Sequence, residues 1–248
     1  MSPRRVAVAL FLFAFGRAMT AKPAEPAAPA GRLFDGAGPL PATVRVQVAK
    51  ALPPLTIRLL PPTGGAATAG AAEPHEIGRL EIARPGEPAV LQTIVVRGTG
   101  NAESLARFSR MEDANFDGYA DLLVAHDGGD GGNVGAKGIG YEFYLFDPPS
   151  GTFVQDELAQ EMSAQLQGDL EIQRITGGIT LRHRTQGCST GFVWLERFIV
   201  EGGHLVKVEE QELSPTPAGC YAVQRRRGPG GGLVEIARYL AAELAAPN

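Results

Sequence analysis

The segment at residues 111–124, MEDANFDGYADLLV, carries oxygen-bearing side chains at alternate positions. Calcium prefers oxygen ligands, and such side chains can converge on one ion when a glycine, here Gly118, lets the chain turn sharply. Three carboxylates so close together also repel one another unless a cation lies between them. The spacing therefore predicts a Ca²⁺ site in which Tyr119 contributes its backbone carbonyl. The predicted ligands are Asp113, Asn115, Asp117, Tyr119 and Asp121.

The loop follows the first nine positions of an EF-hand loop and then departs from that pattern. The twelfth position, a bidentate glutamate in an EF-hand, is Val124 here. The run LLVAH at residues 122–126 is apolar and strand-like, where an EF-hand would continue as a helix. We expect an EF-hand-like loop between two strands, with the missing ligand supplied by another part of the chain or by water. The alternative is a metal-free turn held by side-chain hydrogen bonds.

Two other segments match enzyme motifs without the surrounding structure that those motifs need. The sequence GCSTG at residues 187–191 fits the nucleophile pattern G-x-S-x-G, but a strand-like run follows Ser189 where a helix is required. Gly138 and Gly140 suggest a nucleotide loop, yet Gly140 leads into another strand-like run rather than a phosphate-binding helix. We therefore predict that the protein is not an enzyme, and a secreted hydrolase is the least favoured alternative.

The elements that must position the calcium loop are predicted to be β-strands. Short runs rich in β-branched and aromatic residues recur along the chain, and glycine turns separate several of them, at residues 85–86, 177–178 and 202–203. The 32 glycines and 19 prolines agree with many turns. The pattern indicates a mainly β fold of short antiparallel hairpins, and leaves a sandwich, a barrel or a propeller open. The predicted strands include residues 43–48, 77–82, 91–96, 141–146, 179–183 and 192–200.

One long helix is predicted at the C-terminus. Leu233, Ile236, Leu240 and Leu244 recur at helical spacing after the breaker sequence GPGGG. We therefore assign residues 228–248 to a glycine-rich linker and a C-terminal helix, and expect the apolar side of this helix to pack on the sheet.

The N-terminus has the features of an export signal. Arg4 and Arg5 precede an apolar run at residues 6–15, which is shorter than the about 20 residues of a membrane-spanning helix. We assign residues 1–21 to a signal peptide, 22–31 to an Ala/Pro linker and 32–227 to a β domain with the calcium loop at 113–121. The expected location is the bacterial periplasm or the exterior, with no membrane span after signal removal.

The charge and the cysteines agree with an exported protein that does not bind nucleic acid. Signal removal takes away Arg4, Arg5 and Arg17 and no acid, so the formal charge falls from −4 to −7. A negatively charged chain is a poor partner for phosphates. The two cysteines, Cys188 and Cys220, are predicted to form one disulfide, since such bonds persist outside the cytosol; two free thiols are the alternative.

Residues 111–158 resemble more than an isolated calcium loop. The order DANFDGYADLL, a glycine-rich connection and then YEFYLFDPPSGTFVQDEL is similar to a family of exported bacterial proteins with an irregular, propeller-like β fold. The family includes a periplasmic immunity protein that inhibits a lysozyme-like effector of a type IV secretion system. The loop also resembles the FG-GAP blades of integrin α-chains. The ligand positions match the loop of the family, and residues 146–148 and 151–153 match its turn.

The resemblance implies a propeller-like arrangement and a protein partner, with a cell-wall hydrolase effector as the expected target. More loosely, Trp194, Gly203 and Leu205 fit the closing segments of the family. The chain departs from the family in having no lipoprotein cysteine, and its first 70 residues and its predicted C-terminal helix have no counterpart. The second alternative is an adhesion or envelope-assembly module that has the FG-GAP-like loop but no toxin partner.

Overall fold

The computed structural model describes residues 31–34, 40–64, 75–98, 101–127, 139–173, 176–182, 192–216 and 219–240. The predicted signal peptide and most of the predicted linker lie outside these residues, and Gly31, the last residue of that predicted linker, belongs to the first strand. Within the described ranges there is no helix long and apolar enough to cross a membrane.

The first half of the described chain is built from nine strands and one helix, and the second half from six strands and one helix. The elements of the first half are β1 (Gly31–Arg32), β2 (Ala42–Val46), β3 (Leu55–Leu60), β4 (His75–Ala83), β5 (Val90–Gly98), α1 (Ala102–Phe108), β6 (Arg110–Glu112), β7 (Asp121–Asp127), β8 (Gly140–Asp147) and β9 (Thr152–Val154). Those of the second half are α2 (Glu157–Gln165), β10 (Asp169–Gln173), β11 (Gly178–Arg182), β12 (Phe192–Glu201), β13 (His204–Thr216), β14 (Gly219–Arg227) and β15 (Leu233–Leu240).

The strands of the described residues form three antiparallel sheets. The first has the order β2-β3-β4-β5, the second β1-β6-β7-β8-β9, and the third β10-β11-β12-β13-β14-β15. Apart from β1, every strand pairs with a neighbour in sequence, as expected of hairpins. The prediction of a mainly β fold is confirmed. No closed barrel or propeller is formed by the described strands, so the propeller-like arrangement stays a prediction.

The second sheet separates two hydrophobic cores. Along β7, Leu122 and Val124 belong to the core shared with the first sheet and α1, whereas Leu123 and Ala125 belong to the core shared with α2 and the third sheet. All four side chains are buried. Because successive side chains of a strand point to opposite faces, β7 is an apolar run rather than an alternating one. It begins directly at Asp121 and attaches the predicted calcium loop to the interior.

The predicted glycine turns connect the strands that were predicted on either side of them. Residues 84–89 connect β4 to β5, residues 174–177 connect β10 to β11, and the pair Gly202-Gly203 connects β12 to β13. Gly202 and Gly203 have φ values of 63° and 82°, the left-handed region that favours glycine. These hairpins are therefore confirmed.

The predicted C-terminal helix is wrong over residues 233–240, which form strand β15. The glycine-rich segment is a tight turn, closed by a 2.9 Å hydrogen bond from Gly228 N to Gly232 O, and not a linker. This turn returns the chain along β14, where backbone pairing runs from Arg227 and Leu233 to Tyr221 and Leu240. Backbone pairing with the edge of β14 stabilises this segment as a strand. The helical spacing of its apolar residues is not enough to make it a helix, since short isolated helices are only marginally stable. The remaining residues of the predicted helix, 241–246, lie outside the described residues.

The first and second sheets approach closely at Gly98, the last residue of β5. A Cβ atom added there would lie 1.9 Å from the carbonyl oxygen of His126 in β7. Gly98→Ala is therefore expected to lower the free energy of unfolding by about 1–3 kcal/mol, because backbone must shift to relieve the overlap. Chemical denaturation measures the change.

Gly64→Ala is the matched control for this substitution, since nothing lies within 4 Å of the added Cβ. Equal stability of the two variants would contradict the close approach of the sheets.

Candidate functional site

The predicted calcium loop connects β6 to β7 and lies between two strands, as the sequence indicated. The hairpin register pairs Glu112 with Asp121, so the loop proper comprises the eight residues from 113 to 120. Both ends of the loop are buried, at Asp113 and at Asp121, while Asp117 at its tip is exposed. The loop therefore extends from the edge of the core into solvent.

Asp121 is the most enclosed of the predicted ligands, with no exposed surface. Its Oδ2 accepts a 2.8 Å hydrogen bond from Ala114 N and a 3.4 Å one from Asn115 N, and its Oδ1 accepts a 2.9 Å hydrogen bond from Phe146 N. A single carboxylate thus closes the loop on itself and joins it to the neighbouring strand β8. Its position is set by backbone donors rather than by other side chains.

The electrostatic environment of Asp121 disfavours its negative charge. Burial raises the pKa of this carboxyl well above its usual value, against the lowering effect of the donors Phe146 N and Ala114 N, and the nearby Asp117 and Asp113 raise the pKa further. A cation among these carboxylates would offset both the burial and the repulsion. The site therefore favours positive charge.

The other side chains of the loop hold its sharp turn. Asp113 Oδ2 accepts a hydrogen bond from Gly118 N at 3.1 Å, and Asp117 Oδ1 accepts one from Tyr119 N at 2.9 Å. Asn115 Oδ1 accepts from Asp117 N at 3.1 Å, and the Asn115 amide donates to Asp117 Oδ2 at 2.9 Å. The backbone enters the left-handed region at Gly118 and also at Phe116, where φ is 63°. Hydrogen bonds of Asp and Asn side chains to nearby N–H groups curl the loop, as in Asx turns.

The loop is also attached to the first part of the chain. Ala120 N donates a 2.8 Å hydrogen bond to Val48 O. The ring of Tyr119 packs against Phe146 with centroids 5.7 Å apart, and Phe146 packs edge-on against Phe153 at 5.4 Å. Val48 and Phe146 both line one cavity, together with Leu52, Pro53 and Pro148. The walls of this cavity therefore depend on contacts with the loop.

The oxygen-only donor set fits Ca²⁺, since it combines three carboxylates, one amide and one backbone carbonyl. The carboxylates of Asp113, Asp117 and Asp121 do not all lie within 4.8 Å of one another. Calcium–oxygen distances of about 2.3–2.6 Å require such proximity. Ion binding would therefore draw these carboxylates together, with the exposed Asp117 having the most freedom to move.

The described side chains that do converge within 4.8 Å are Glu157, Glu161 and His204. Sequence analysis did not single them out, because the two glutamates and the histidine belong to different elements. The i, i+4 spacing of the glutamates was the only signal available, and it is common on exposed helix faces.

Several other predicted features lie wholly or partly outside the described residues. These include Cys188, Ser189 and Gly138, so the disulfide with Cys220 stays a prediction. Gly140 begins strand β8, as its lack of a following helix indicated. The turn at residues 147–152 is present, with a 2.8 Å hydrogen bond from Gly151 N to Asp147 O. Trp194 and Leu205 lie in β12 and β13.

No family model matches this chain, and no curated protein matches it. Among solved structures, it is similar to a protein described as a Xanthomonas type IV secretion system related protein, with 15% sequence identity and a TM-score of 0.48. The similarity covers 80% of this chain and 100% of the other. Identity and TM-score are too low for a function or a ligand to be transferred.

Asp121 is expected to stabilise the fold even in the absence of calcium. Asp121→Ala leaves Ala114 N and Phe146 N without their acceptor, and an unsatisfied buried donor costs about 1–3 kcal/mol. The expected result is a large loss of unfolding free energy in chelator, measured by urea denaturation.

Asp117→Ala is the matched control, because its carboxylate is exposed and a hydrogen bond of that kind contributes only about 1 kcal/mol. Equal destabilisation by the two substitutions in chelator would contradict the structural role of Asp121.

Proposed function

We propose that this chain is an exported calcium-binding protein that acts by binding another protein, and that it is not an enzyme. The observation that carries the calcium assignment is the run of oxygen-bearing side chains along the loop from Asp113 to Asp121, with two of its carboxylates buried. The ligands are Asp113, Asn115, Asp117, Asp121 and the Tyr119 carbonyl. Bound calcium would neutralise charges that the interior disfavours, and its role is to hold the loop rigid.

The surface that we propose for binding is the cavity beside the loop. Ala120 holds Val48 through one backbone hydrogen bond, and Asp121 holds Phe146 through another. These two residues line the cavity beside the loop. A calcium ion that fixes the loop would also hold these two lining residues in place, and a preorganised surface binds its partner with a smaller loss of entropy.

The proposed partner is a peptidoglycan-degrading, lysozyme-like effector, against which the protein acts as an immunity or inhibitor protein. The support is the resemblance over residues 111–158, where the calcium loop, the aromatic strand β8 and the turn at residues 147–152 occur in the family order. The glycine-rich connection that we expect to contribute to binding lies mostly at residues 128–138, outside the described residues. Periplasmic location is part of the same proposal.

Calcium is expected to raise the melting temperature of the protein. At a free Ca²⁺ concentration about 100 times the Kd, a site present only in the native state adds about 2.7 kcal/mol to the free energy of unfolding. The shift should grow with Ca²⁺ concentration, and Mg²⁺ should give little, since it demands stricter octahedral geometry. Differential scanning calorimetry in Ca²⁺, Mg²⁺ and chelator measures it.

Asp117→Ala should remove the calcium-dependent shift and leave the melt in chelator almost unchanged. An identical shift in wild type and variant would contradict the assignment of the loop as the calcium site.

Inhibition of a cell-wall hydrolase tests the proposed partner. The wild-type protein is expected to inhibit muramidase activity of lysozyme-like effectors on purified peptidoglycan in Ca²⁺, and to lose affinity in chelator or as Asp117→Ala. Failure against a panel of such effectors would contradict the immunity role. Full inhibition by calcium-free Asp117→Ala would instead contradict the mechanical role of the ion.

A further inference from the structure

A second group of ligand-type side chains lies on the side of the molecule formed by α2 and the β12–β13 turn. Glu157 and Glu161 are one helical turn apart in α2, and His204 is the first residue of β13. One ligand atom from each of the three lies within 4.8 Å of the others. His204 Nδ1 is 3.1 Å from Glu161 Oε1. Ligands of one metal ion are found at such mutual distances.

These side chains are carried by rigid, buried structure. Each of them immediately precedes a core residue, namely Leu158, Met162 and Leu205, and all three core residues belong to one hydrophobic cluster. The Leu205 N–H donates a 2.8 Å hydrogen bond to Glu161 Oε2, which fixes the orientation of that carboxylate. Metal sites gain affinity when an outer hydrogen bond orients the ligand in this way.

The charges of this group are not balanced by the described residues. The His204 imidazole contacts Glu161, and protonated it could neutralise only one of the two carboxylates. No lysine or arginine within the described ranges forms an ion pair with Glu157. Two carboxylates and a neutral imidazole would be neutralised by one divalent cation.

We propose that Glu157, Glu161 and His204 bind a divalent transition-metal ion of the Zn²⁺ type. A nitrogen ligand beside two carboxylate oxygens distinguishes this site from the oxygen-only calcium loop, since imidazole suits Zn²⁺ and similar ions better than Ca²⁺. Glu157 and His204 are exposed and Glu161 is half-buried, so water completes the coordination. The ion would clamp α2 to the β12–β13 turn, independently of the proposed calcium function.

Isothermal titration calorimetry of the full chain with ZnCl₂ at pH 8 tests this site. Wild type is expected to bind one Zn²⁺ ion at this site, and Glu157→Gln and His204→Ala should each weaken binding about tenfold or more. Glu157→Gln removes only a charge from an exposed side chain that forms no ion pair with a described lysine or arginine, so the fold should be unaffected. Substitution by Co²⁺ should give visible absorption bands that the same variants lose.

Two control variants separate this site from other histidines and from the calcium loop. His75→Ala removes a histidine of β4, and Asp117→Ala disables the calcium loop; both should bind Zn²⁺ at this site like wild type. Saturable Zn²⁺ binding that is unchanged in Glu157→Gln and His204→Ala would overturn the proposal. The absence of saturable binding to wild type would do the same, and either result leaves the calcium prediction intact.

Discussion

The second sheet, which lies between the two hydrophobic cores, depends on the hydrogen bonds of the buried Asp121 carboxylate. It accepts hydrogen bonds from Ala114 N, in the loop that precedes it, and from Phe146 N, in the strand beside it. Since β7 starts at this residue, the same contacts set which side chains of β7 face each core. A shift by one residue would exchange Leu122 and Leu123 between the cores. Desolvation of this buried acid lowers the free energy of unfolding, whereas its hydrogen bonds define a single register for β7.

The β character of the chain was predictable because it follows from local sequence patterns. Runs of β-branched and aromatic residues separated by glycine turns correctly placed β4, β5, β8 and the β10–β11 and β12–β13 hairpins. The two helices were missed, since α2 is only nine residues long and its buried Leu158, Ala159 and Met162 need the second core to hold it. Strand β15 was missed for a related reason. Its exposed Val234 and Leu240 pair with β14 by backbone bonds, which leave no signature in side-chain spacing.

The candidate site likewise has features that local sequence predicts and others that depend on residues far apart in the chain. The alternating acids and Gly118 identified the loop and its place between strands from nine residues. The contacts that connect the loop to the rest of the molecule involve Phe146, 25 residues beyond Asp121, and Val48, far before it. Contacts between residues so far apart in the chain cannot be inferred from the spacing of residues in the sequence. The group containing Glu161 and His204, 43 residues apart, is invisible in the sequence for the same reason.

The hydrogen bonds of Asp121 and Asp113 also determine what a calcium ion could contribute. Backbone N–H groups of Ala114, Phe146 and Gly118 already direct these carboxylates, so the course of the loop is set by the chain itself. An ion that bound there would add stability by mass action and relieve charge repulsion, without having to create the fold. Strand β8 contacts both the end of the loop and α2, because Phe146 N donates to Asp121 Oδ1 and Phe143 N donates to Ser163 Oγ of α2. The second sheet thus lies between the loop and α2, whose glutamates belong to the second proposed ion site.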